Sequence, residues 1–209
     1  RKNSLKEANF VKNLLKKNKI SLKILSNNKK IEKNIQGKAR EIRYRLLCRF
    51  CLANKIKTIM TAHNFEDQVE TFFIRLSRGS GLKGLSGMKP ITNLNKNIKL
   101  MRPLLDIKKK MLVKISKIIF GKFVVDPSNT DNKYLRSKVR KLQKPLKLSG
   151  IDYDQIFKSI NNLASSKNTL DEYHSKILRE TIQKTQNKIQ IDFQKFKKFN
   201  TEIKINILN

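Results

Sequence analysis

The chain has 209 residues, of which 48 are Lys or Arg and 16 are Asp or Glu, giving a formal net charge of +32. It is long enough to bury a sizeable core, and no apolar run is long enough to span a bilayer, so we expect a soluble protein without a signal peptide. The two cysteines, Cys48 and Cys51, exclude a secreted disulfide framework and favour a reducing, cytoplasmic compartment.

The excess of positive charge favours a polyanionic partner. Nucleic acid is the leading candidate, because Lys and Arg side chains that bind phosphates release counterions. The chain is also rich in Asn and Ile as well as Lys, which is the bias that an AT-rich genome produces. The charge therefore supports an RNA partner but does not establish one.

Helices and strands alternate in the first part of the chain. A capping box at Ser4-Leu-Lys-Glu7 and helical spacing predict a helix that ends near Lys17. Alternation predicts a strand over Ser21–Leu25, a long helix follows over about 35–54, and the apolar run Lys57–Ala62 predicts a buried parallel strand. This order predicts an α/β fold with a parallel sheet and crossover connections.

The remaining pattern predicts more helix than strand. In chain order we expect an extended segment over 98–104, a helix over 107–119, a turn at Asp126-Pro127-Ser128-Asn129, a basic helix over 132–142 and a polar helical segment over 152–184. The tail, 189–208, alternates in places. Pro145 and Gly150 mark a boundary, so we predict a catalytic domain over 1–146 and a helical region over 147–209.

Residues 61–88 are the most informative stretch of the sequence. His63 follows the predicted strand, and ligands of parallel sheets bind beyond the carboxyl ends of the strands. On a helical wheel with about 100° per residue, Asp67, Glu70 and Arg78 share a polar face opposite an apolar stripe. We therefore expect two carboxylates, one turn apart, close to His63.

Asp67 and His63 also have plainer structural interpretations, whereas Glu70 does not. If Asn64 is the N-cap, Asp67 lies at the third helical position, where an acid satisfies free amides, so a cap and a site both stay open. Glu70 lies beyond the first turn and has no cation four residues away, which favours a site. A lone His63 is often a packed residue. A metal site is not expected, because the other histidine, His174, is distant in sequence.

The segment after this helix combines glycines with basic residues. Gly79 can end the helix in a left-handed turn, but four glycines within nine residues exceed that need. Backbone amides flanked by cations suit phosphate or sugar contacts. The candidate RNA-binding residues here are Arg75, Arg78, Gly79, Gly81 and Lys83. The loop is not a Walker loop, since it lacks a Gly-Lys-Ser/Thr ending.

The predicted basic helix carries two further candidates, Arg136 and Arg140. Both lie away from its apolar line, so a solvated charged face would explain them. Arg136 gains weight as a site residue from its position just after the Asp-Pro-Ser-Asn turn, and Arg140 is an RNA-binding candidate.

Four segments together resemble the tRNA(Ile)-lysidine synthetases of the N-type ATP pyrophosphatase superfamily. In the order of that family they are Ala39-Arg-Glu-Ile-Arg-Tyr44, the His-x-x-x-Asp-Gln-x-Glu-Thr element within Ala62–Thr71, the glycine loop Arg78–Met88, and Asp126-Pro-Ser-Asn followed by Arg136 and Arg140. The resemblance covers about residues 1–146 and implies an adenine-nucleotide α-hydrolase-like fold.

The resemblance implies a ligase that uses ATP, with Mg²⁺, and L-lysine to convert the wobble cytidine of an isoleucine tRNA with a CAU anticodon into lysidine. The cytidine C2 oxygen is adenylated, and the lysine side-chain amine then displaces AMP. By resemblance, Asp67 and Glu70 hold the amine, Arg136 pairs with an anionic part of lysine or of the adenylate, and His63 lines the nucleotide side. The region after the catalytic domain begins a tRNA-binding domain.

The sequence also departs from the family pattern. Asn64 and Ser137 stand where the family often has His and Asn, and the Ser-Gly-Gly-x-Asp-Ser phosphate loop is absent. No residue is therefore assigned to the ATP phosphates. The chain has the features of an N-terminally truncated fragment, and we expect this polypeptide alone not to adenylate cytidine.

Two rival functions stay open. Cys48-Arg-Phe-Cys51 is compatible with a tRNA 2-thiocytidine synthetase, although no further cysteines exist to hold an iron–sulfur cluster and a small buried side chain inside a helix explains the pair. The rival from another class is a non-catalytic basic RNA-binding module. Transfer of lysine to tRNA distinguishes it from the enzyme.

Overall fold

A computed structural model of the chain describes residues 4–27, 35–121, 135–185 and 188–208. It divides into two compact units, one formed by Arg1–Gln68 with Met88–Arg140, the other by Val69–Gly87 with Lys141–Asn209.

The described elements are α1 (Ser4–Lys17), α2 (Ile35–Ala53), β1 (Thr58–Met60), α3 (Phe65–Leu76), α4 (Leu82–Leu85), β2 (Ile91–Asn93), β3 (Lys99–Met101), α5 (Lys109–Phe120), α6 (Leu135–Lys141), α7 (Gln143–Leu148), α8 (Tyr153–Thr181), β4 (Ile182–Lys184), β5 (Ile189–Ile191), α9 (Phe193–Lys198) and α10 (Thr201–Leu208). Helix α3 begins in the first unit and continues in the second.

The first unit is organised around a three-stranded sheet in the order β1-β3-β2. Strand β1 runs parallel to β3, with Ile59 opposite Leu100, and β2 pairs antiparallel with β3. Ile59, Ile98, Leu100 and Cys51 of α2 form a buried cluster against which the sheet and the helix pack. Each such aliphatic side chain contributes about 1.5–3 kcal/mol by leaving water.

The predicted fold class is confirmed in this unit. The long helix over 35–54 is α2, the parallel strand after it is β1, and the helix over 107–119 is α5. The predicted burial of this strand holds for Ile59, whereas Thr58 is partly exposed and Met60 is exposed. The extended segment over 98–104 contains the shorter strand β3.

Two predictions of strand structure need correction. The strand over Ser21–Leu25 was wrong, because residues 20–27 form neither helix nor strand. A short alternating run becomes a strand only where a neighbouring backbone completes its hydrogen bonds, and no described strand pairs with it. Conversely, β2 was not predicted. It is three residues long and has no buried residue to mark it in the sequence.

The second unit is organised around the long helix α8, which contacts α4, β4 and α10. Asp152 caps its start by accepting from the amide of Asp154. The ring of Phe73 on α3 lies 6.4 Å from that of Tyr153. The helical segment predicted over 152–184 is confirmed as far as Thr181; the last three residues instead form β4, which pairs with β5.

The tail continues as two short helices, α9 and α10. Of the helices in the described ranges, none combines the length and the apolar character that crossing a bilayer requires. The Asp126-Pro127-Ser128-Asn129 turn, the start of the predicted basic helix and the side chain of Ser4 in the predicted capping box lie outside the described residues.

Candidate active site

Helix α3 begins with a reciprocal capping pair between Asn64 and Asp67. The Asp67 amide donates to Asn64 Oδ1 at 3.1 Å, and the Asn64 amide donates to Asp67 Oδ2 at 3.1 Å. This is the arrangement of a capping box, which fixes both the start of the helix and the direction of the acid. The cap interpretation of Asp67 is therefore confirmed, and one oxygen, Oδ1, is left for another contact.

The same helix start is joined to helix α5. Glu66 accepts a hydrogen bond from the amide of Lys109 at 2.8 Å, at the first residue of α5, and the Phe65 amide donates to the carbonyl of Ile107 at 3.1 Å. A carboxylate at a helix N-terminus is favoured both by the free amides and by the helix dipole. These contacts hold the acid-bearing end of α3 in place.

A cavity of about 280 Å³ opens at the carboxyl end of β1. Its lining combines two arginines, one acid, one histidine and several smaller groups: Arg43, Tyr44, Leu47, Thr61, Ala62, His63, Asp67 and Arg136. The structure thus brings together three of the predicted catalytic residues, His63, Asp67 and Arg136. Glu70 is not among the lining residues.

His63 is held beside the strand end by Thr61. The Thr61 hydroxyl and His63 Nδ1 lie 2.8 Å apart, and the Thr61 amide donates to the carbonyl of Met101 on β3. Burial lowers the pKa of His63; Asp67 opposes this shift, and Arg102, Arg40 and Arg136 add to it. A pKa below the ordinary value of about 6.5 favours the neutral imidazole near pH 7.

Asp67 faces a cation from helix α6. Arg140 Nη2 lies 3.7 Å from Asp67 Oδ1, and the two side chains are 29% and 17% exposed. This distance satisfies an ion pair but exceeds a hydrogen bond. Asp67 Oδ1 consequently keeps hydrogen-bonding capacity for a donor that enters the cavity.

Glu70 lies one turn after Asp67 on α3 and is buried, with 3% of its surface exposed. Arg78 does not share this helical face, because α3 ends at Leu76 and Arg78 lies in the following turn. The wheel prediction for Arg78 was therefore wrong: its angle assumed a helix that continues two residues too far.

Arg75 forms hydrogen bonds to the backbone of the glycine loop between α3 and β2. Its Nη1 donates to the carbonyls of Gly84 at 2.7 Å and Gly87 at 2.9 Å. Burial lowers the pKa of this guanidinium, which nevertheless stays charged near neutrality. Arg75 was predicted as an RNA contact, and the structure gives it a role within the loop.

The glycines of the loop have different physical reasons. Gly79 and Gly87 have φ of 69° and 73°, where side chains are strained, and Gly79 ends α3 as predicted. A Cβ at Gly84 would lie 2.5 Å from Ser80 Cβ, so only glycine fits there. A Cβ at Gly81 would meet nothing within 4 Å. Backbone conformation at Gly79 and Gly87 and packing at Gly84 therefore explain three of the four glycines.

Comparison with known proteins places this site in a family. The sequence pattern of the PP-loop domain matches residues 1–146, which include every residue that lines the cavity. The chain belongs to the PP-loop domain family.

Two curated relatives of this PP-loop domain are tRNA(Ile)-lysidine synthases. The one from Orientia tsutsugamushi (strain Boryong) is 41% identical over 150 residues, covering 71% of this chain and 34% of the relative. The one from Wolbachia pipientis wMel is 41% identical over 146 residues, covering 69% of this chain and 34% of the relative. The chain spans about a third of the length of these relatives. The predicted resemblance is confirmed.

A solved structure shares the fold of this PP-loop domain. It is the U34-tRNA thiolase NcsA from Methanococcus maripaludis with its 4Fe–4S cluster, which aligns with a TM-score of 0.59 at 19% identity and covers 76% of this chain and 56% of that chain. Within the present chain, Cys51 is buried in the core cluster with Cys48 packed against it, and burial raises the pKa of the Cys51 thiol.

Sequence reasoning missed several residues that the PP-loop domain places at the site. Arg43, Tyr44 and Thr61 line the cavity, and Gln68 binds the end of the glycine loop. Arg43 and Tyr44 do lie in the quoted Ala-Arg-Glu-Ile-Arg-Tyr segment, which was the available signal. Gln68 likewise lies in the quoted His-x-x-x-Asp-Gln-x-Glu-Thr element, but nothing in the sequence indicated its partner Met88, 20 residues away.

Proposed function

We propose that the protein to which this chain belongs is a tRNA(Ile)-lysidine synthetase, a ligase that modifies the wobble cytidine of an isoleucine tRNA with a CAU anticodon, using ATP and L-lysine. The observation that carries the proposal is the cavity at the end of β1, which joins His63, Asp67 and Arg136 within the matched PP-loop domain. The names of the relatives support the same reaction. The working compartment in this proposal is the cytoplasm.

In this proposal the reaction proceeds in two steps. The cytidine C2 oxygen attacks the α-phosphorus of ATP, and pyrophosphate leaves; a Mg²⁺ ion bound with ATP would stabilise the charge on the phosphates. The lysine ε-amine then attacks C2, so that a C–N bond forms, the C–O bond breaks and AMP departs with the oxygen. The ε-ammonium, whose ordinary pKa is about 10.4, loses one proton before it attacks, and the new nitrogen loses a second as AMP leaves.

In this proposal Asp67 receives the amine. Asp67 Oδ2 is committed to the capping pair, whereas Oδ1 is 3.7 Å from Arg140 and can accept from an ammonium group. A carboxylate held by backbone contacts is already oriented before the substrate arrives, which lowers the cost of binding. Glu70, one turn further along α3, is the second acid proposed to orient the amine; its burial would strengthen a charged contact.

Arg136 is proposed to pair with an anionic part of lysine or of the adenylate, because it lines the same cavity as Asp67. A guanidinium binds carboxylate and phosphate groups through two parallel donors. The neutral His63 lines the nucleotide side and adds no positive charge that would repel the incoming ammonium.

RNA contacts are proposed for the exterior of the glycine loop, with Arg78 and Lys83 as exposed cations and Gly79 and Gly81 as uncrowded backbone. Arg140 is the remaining candidate. The region 147–209 is proposed to begin a tRNA-binding domain, which its many exposed lysines support. No residue of this chain is assigned to the loop that binds the phosphates of ATP. We therefore propose that these 209 residues alone do not exchange pyrophosphate into ATP.

The test measures ATP-dependent transfer of radiolabelled lysine to an isoleucine tRNA transcript by the protein that the gene encodes. We expect transfer by the parent protein, a loss of about tenfold or more in kcat/KM for Asp67→Asn and for Arg136→Met, and parental activity for the exposed control Asp106→Asn. Salt-sensitive RNA binding without lysine transfer would refute the enzyme and favour the RNA-binding module. Sulfur transfer to tRNA would favour the thiolation alternative.

A further inference from the structure

We propose that Gln68 and Arg75 are positioning residues that hold the glycine loop in a preformed shape for contact with RNA. The inference rests on the proposed function, because it takes RNA as the ligand of the loop. It assigns to these two side chains a task that is separate from the lysine cavity, although both lie on the helix that carries Asp67 and Glu70.

The side-chain amide of Gln68 both donates a hydrogen bond to Met88 and accepts one from it, and Met88 is the last residue of the glycine loop. Its Nε2 donates to the carbonyl of Met88 at 3.0 Å, and the Met88 amide donates to Oε1 at 2.7 Å. Gln68 is 5% exposed, so water competes little for these bonds. The paired bonds fix the position of Met88 relative to the first turn of α3.

The following residue is fixed from the sheet side. Arg102 Nη1 donates to the carbonyl of Lys89 at 2.6 Å, and the Arg102 amide donates to the carbonyl of Pro90 at 2.8 Å. The segment from Met88 to Pro90 is therefore bound by Gln68 on α3 and by Arg102, which directly follows β3. These hydrogen bonds anchor the C-terminal end of the glycine loop.

Arg75 fixes the interior of the loop in the same way. Its Nη1 donates hydrogen bonds to the carbonyls of Gly84 and Gly87. Gly84 also lies too close to Ser80 to carry a side chain. The loop consequently has internal contacts at three places along nine residues. A loop with such contacts does not need a ligand to define its shape, so less conformational entropy is lost when it binds.

The cavity does not depend on these bonds. Asp67 is held by Asn64, and neither Gln68 nor Arg75 is among the residues that line the cavity. Removing the Gln68 amide should therefore loosen the loop and leave the acid in place. That separation makes the proposal testable with two independent measurements.

The first measurement is limited trypsin cleavage, because Arg78 and Lys83 are exposed trypsin sites inside the loop. Mass spectrometry quantifies cleavage after these two residues in Gln68→Met and Arg75→Met. The matched controls are Gln155→Met and Arg179→Met, which remove the same groups from exposed positions on α8. We expect both loop bonds to be cut about tenfold faster in the two test variants and at the parental rate in the controls.

The second measurement is the affinity of the same proteins for a fluorescent stem-loop RNA with a CAU anticodon, over a range of salt concentrations. We expect Gln68→Met to bind about tenfold more weakly with an unchanged salt slope, since no charge is removed. Arg179→Met measures how much RNA affinity is lost when one cation is removed. The loss of RNA affinity in Arg75→Met should be larger than this. Arg75→Lys, which keeps the charge and a single donor nitrogen, should recover part of the affinity.

Unchanged cleavage in Gln68→Met would overturn the positioning role. Faster cleavage with unchanged RNA affinity would overturn the assignment of the loop to RNA, as would a parent chain that does not bind the RNA. The proposed function is judged by lysine transfer instead: if transfer occurs and these results are negative, only the present inference fails.

Discussion

Asp67 has two contacts that two substitutions can separate. Its Oδ2 accepts from the Asn64 amide at 3.1 Å, and its Oδ1 lies 3.7 Å from Arg140. Asn in place of Asp67 retains an oxygen that can accept from the Asn64 amide but carries no charge. Ala removes both the acceptor and the charge.

The structure sets the expected size of each effect. Loss of an N-terminal capping contact costs about 1 kcal/mol, and loss of a partly exposed ion pair costs about 0–1 kcal/mol. Asp67→Asn should therefore lower the free energy of unfolding by at most about 1 kcal/mol, and Asp67→Ala by about 1–2 kcal/mol. For a chain of this size, 1 kcal/mol lowers Tm by about 2–4 °C.

The catalytic effect should not follow this order. Both variants lose the charge that would hold the lysine ammonium, and a hydrogen bond to a charged group contributes about 1.5–3 kcal/mol. The kcat/KM for lysine should then fall by roughly 10- to 150-fold in both variants. Asn64→Ala is the converse control, because it removes the Asp67 amide contact and leaves the carboxylate.

Thermal unfolding and lysine transfer together show whether Asp67 binds lysine or only caps the helix. We expect Asp67→Asn to be nearly as stable as the parent but weakly active, and Asn64→Ala to be less stable but substantially active. If Asp67→Asn retains parental kcat/KM while Asp67→Ala loses stability, Asp67 is a helix cap and the assignment of the lysine site is refuted.

Three further predictions concern packing and pH. Gly84→Ala should destabilise the chain by about 1–3 kcal/mol in denaturant unfolding because of its clash with Ser80, whereas Gly81→Ala, with open space around it, should change stability little; equal effects would contradict the packing account. Leu100→Ala should cost about 2–5 kcal/mol in the same assay, because Leu100 is buried at the centre of the sheet. Because the pKa of His63 is lowered on folding, the unfolded state binds its proton at higher pH. Stability from this residue should be complete above about pH 6.5 and decline as pH falls toward the folded pKa; His63→Gln should lose this part of the pH dependence in thermal unfolding.

Local signals predicted the helix that carries the site. The Asn64 cap and the acid three residues later form a pattern whose geometry depends only on neighbouring residues, and the structure contains both hydrogen bonds. The same holds for the left-handed turn at Gly79. Where the relevant contacts lie within one turn of a helix, the sequence carries nearly all of the information.

Contacts between distant segments could not be predicted in this way. The pairing of Gln68 with Met88 joins residues 20 apart, and Arg75 reaches carbonyls 9 and 12 residues away. From the sequence, Arg75 could be interpreted only as a solvated charge or an RNA contact. Its partners are backbone carbonyls, and since every residue has one, the sequence does not indicate which carbonyls it binds. The strand predicted over Ser21–Leu25 failed for the complementary reason, since pairing is a property of two segments.

The charges of the cavity bear on its ligand more directly than the net charge of the chain. Arg43 and Arg136 line it, Arg140 approaches Asp67 from α6, and Asp67 is the one acid among the lining residues. A purely cationic ligand would meet more repulsion than attraction there, and a purely anionic one would leave Asp67 unused. A free amino acid with a side-chain ammonium and an α-carboxylate matches both signs, as does an amine that meets an adenylate phosphate. This pairing of charges, inside a PP-loop domain, is the physical reason to test lysine rather than RNA binding alone.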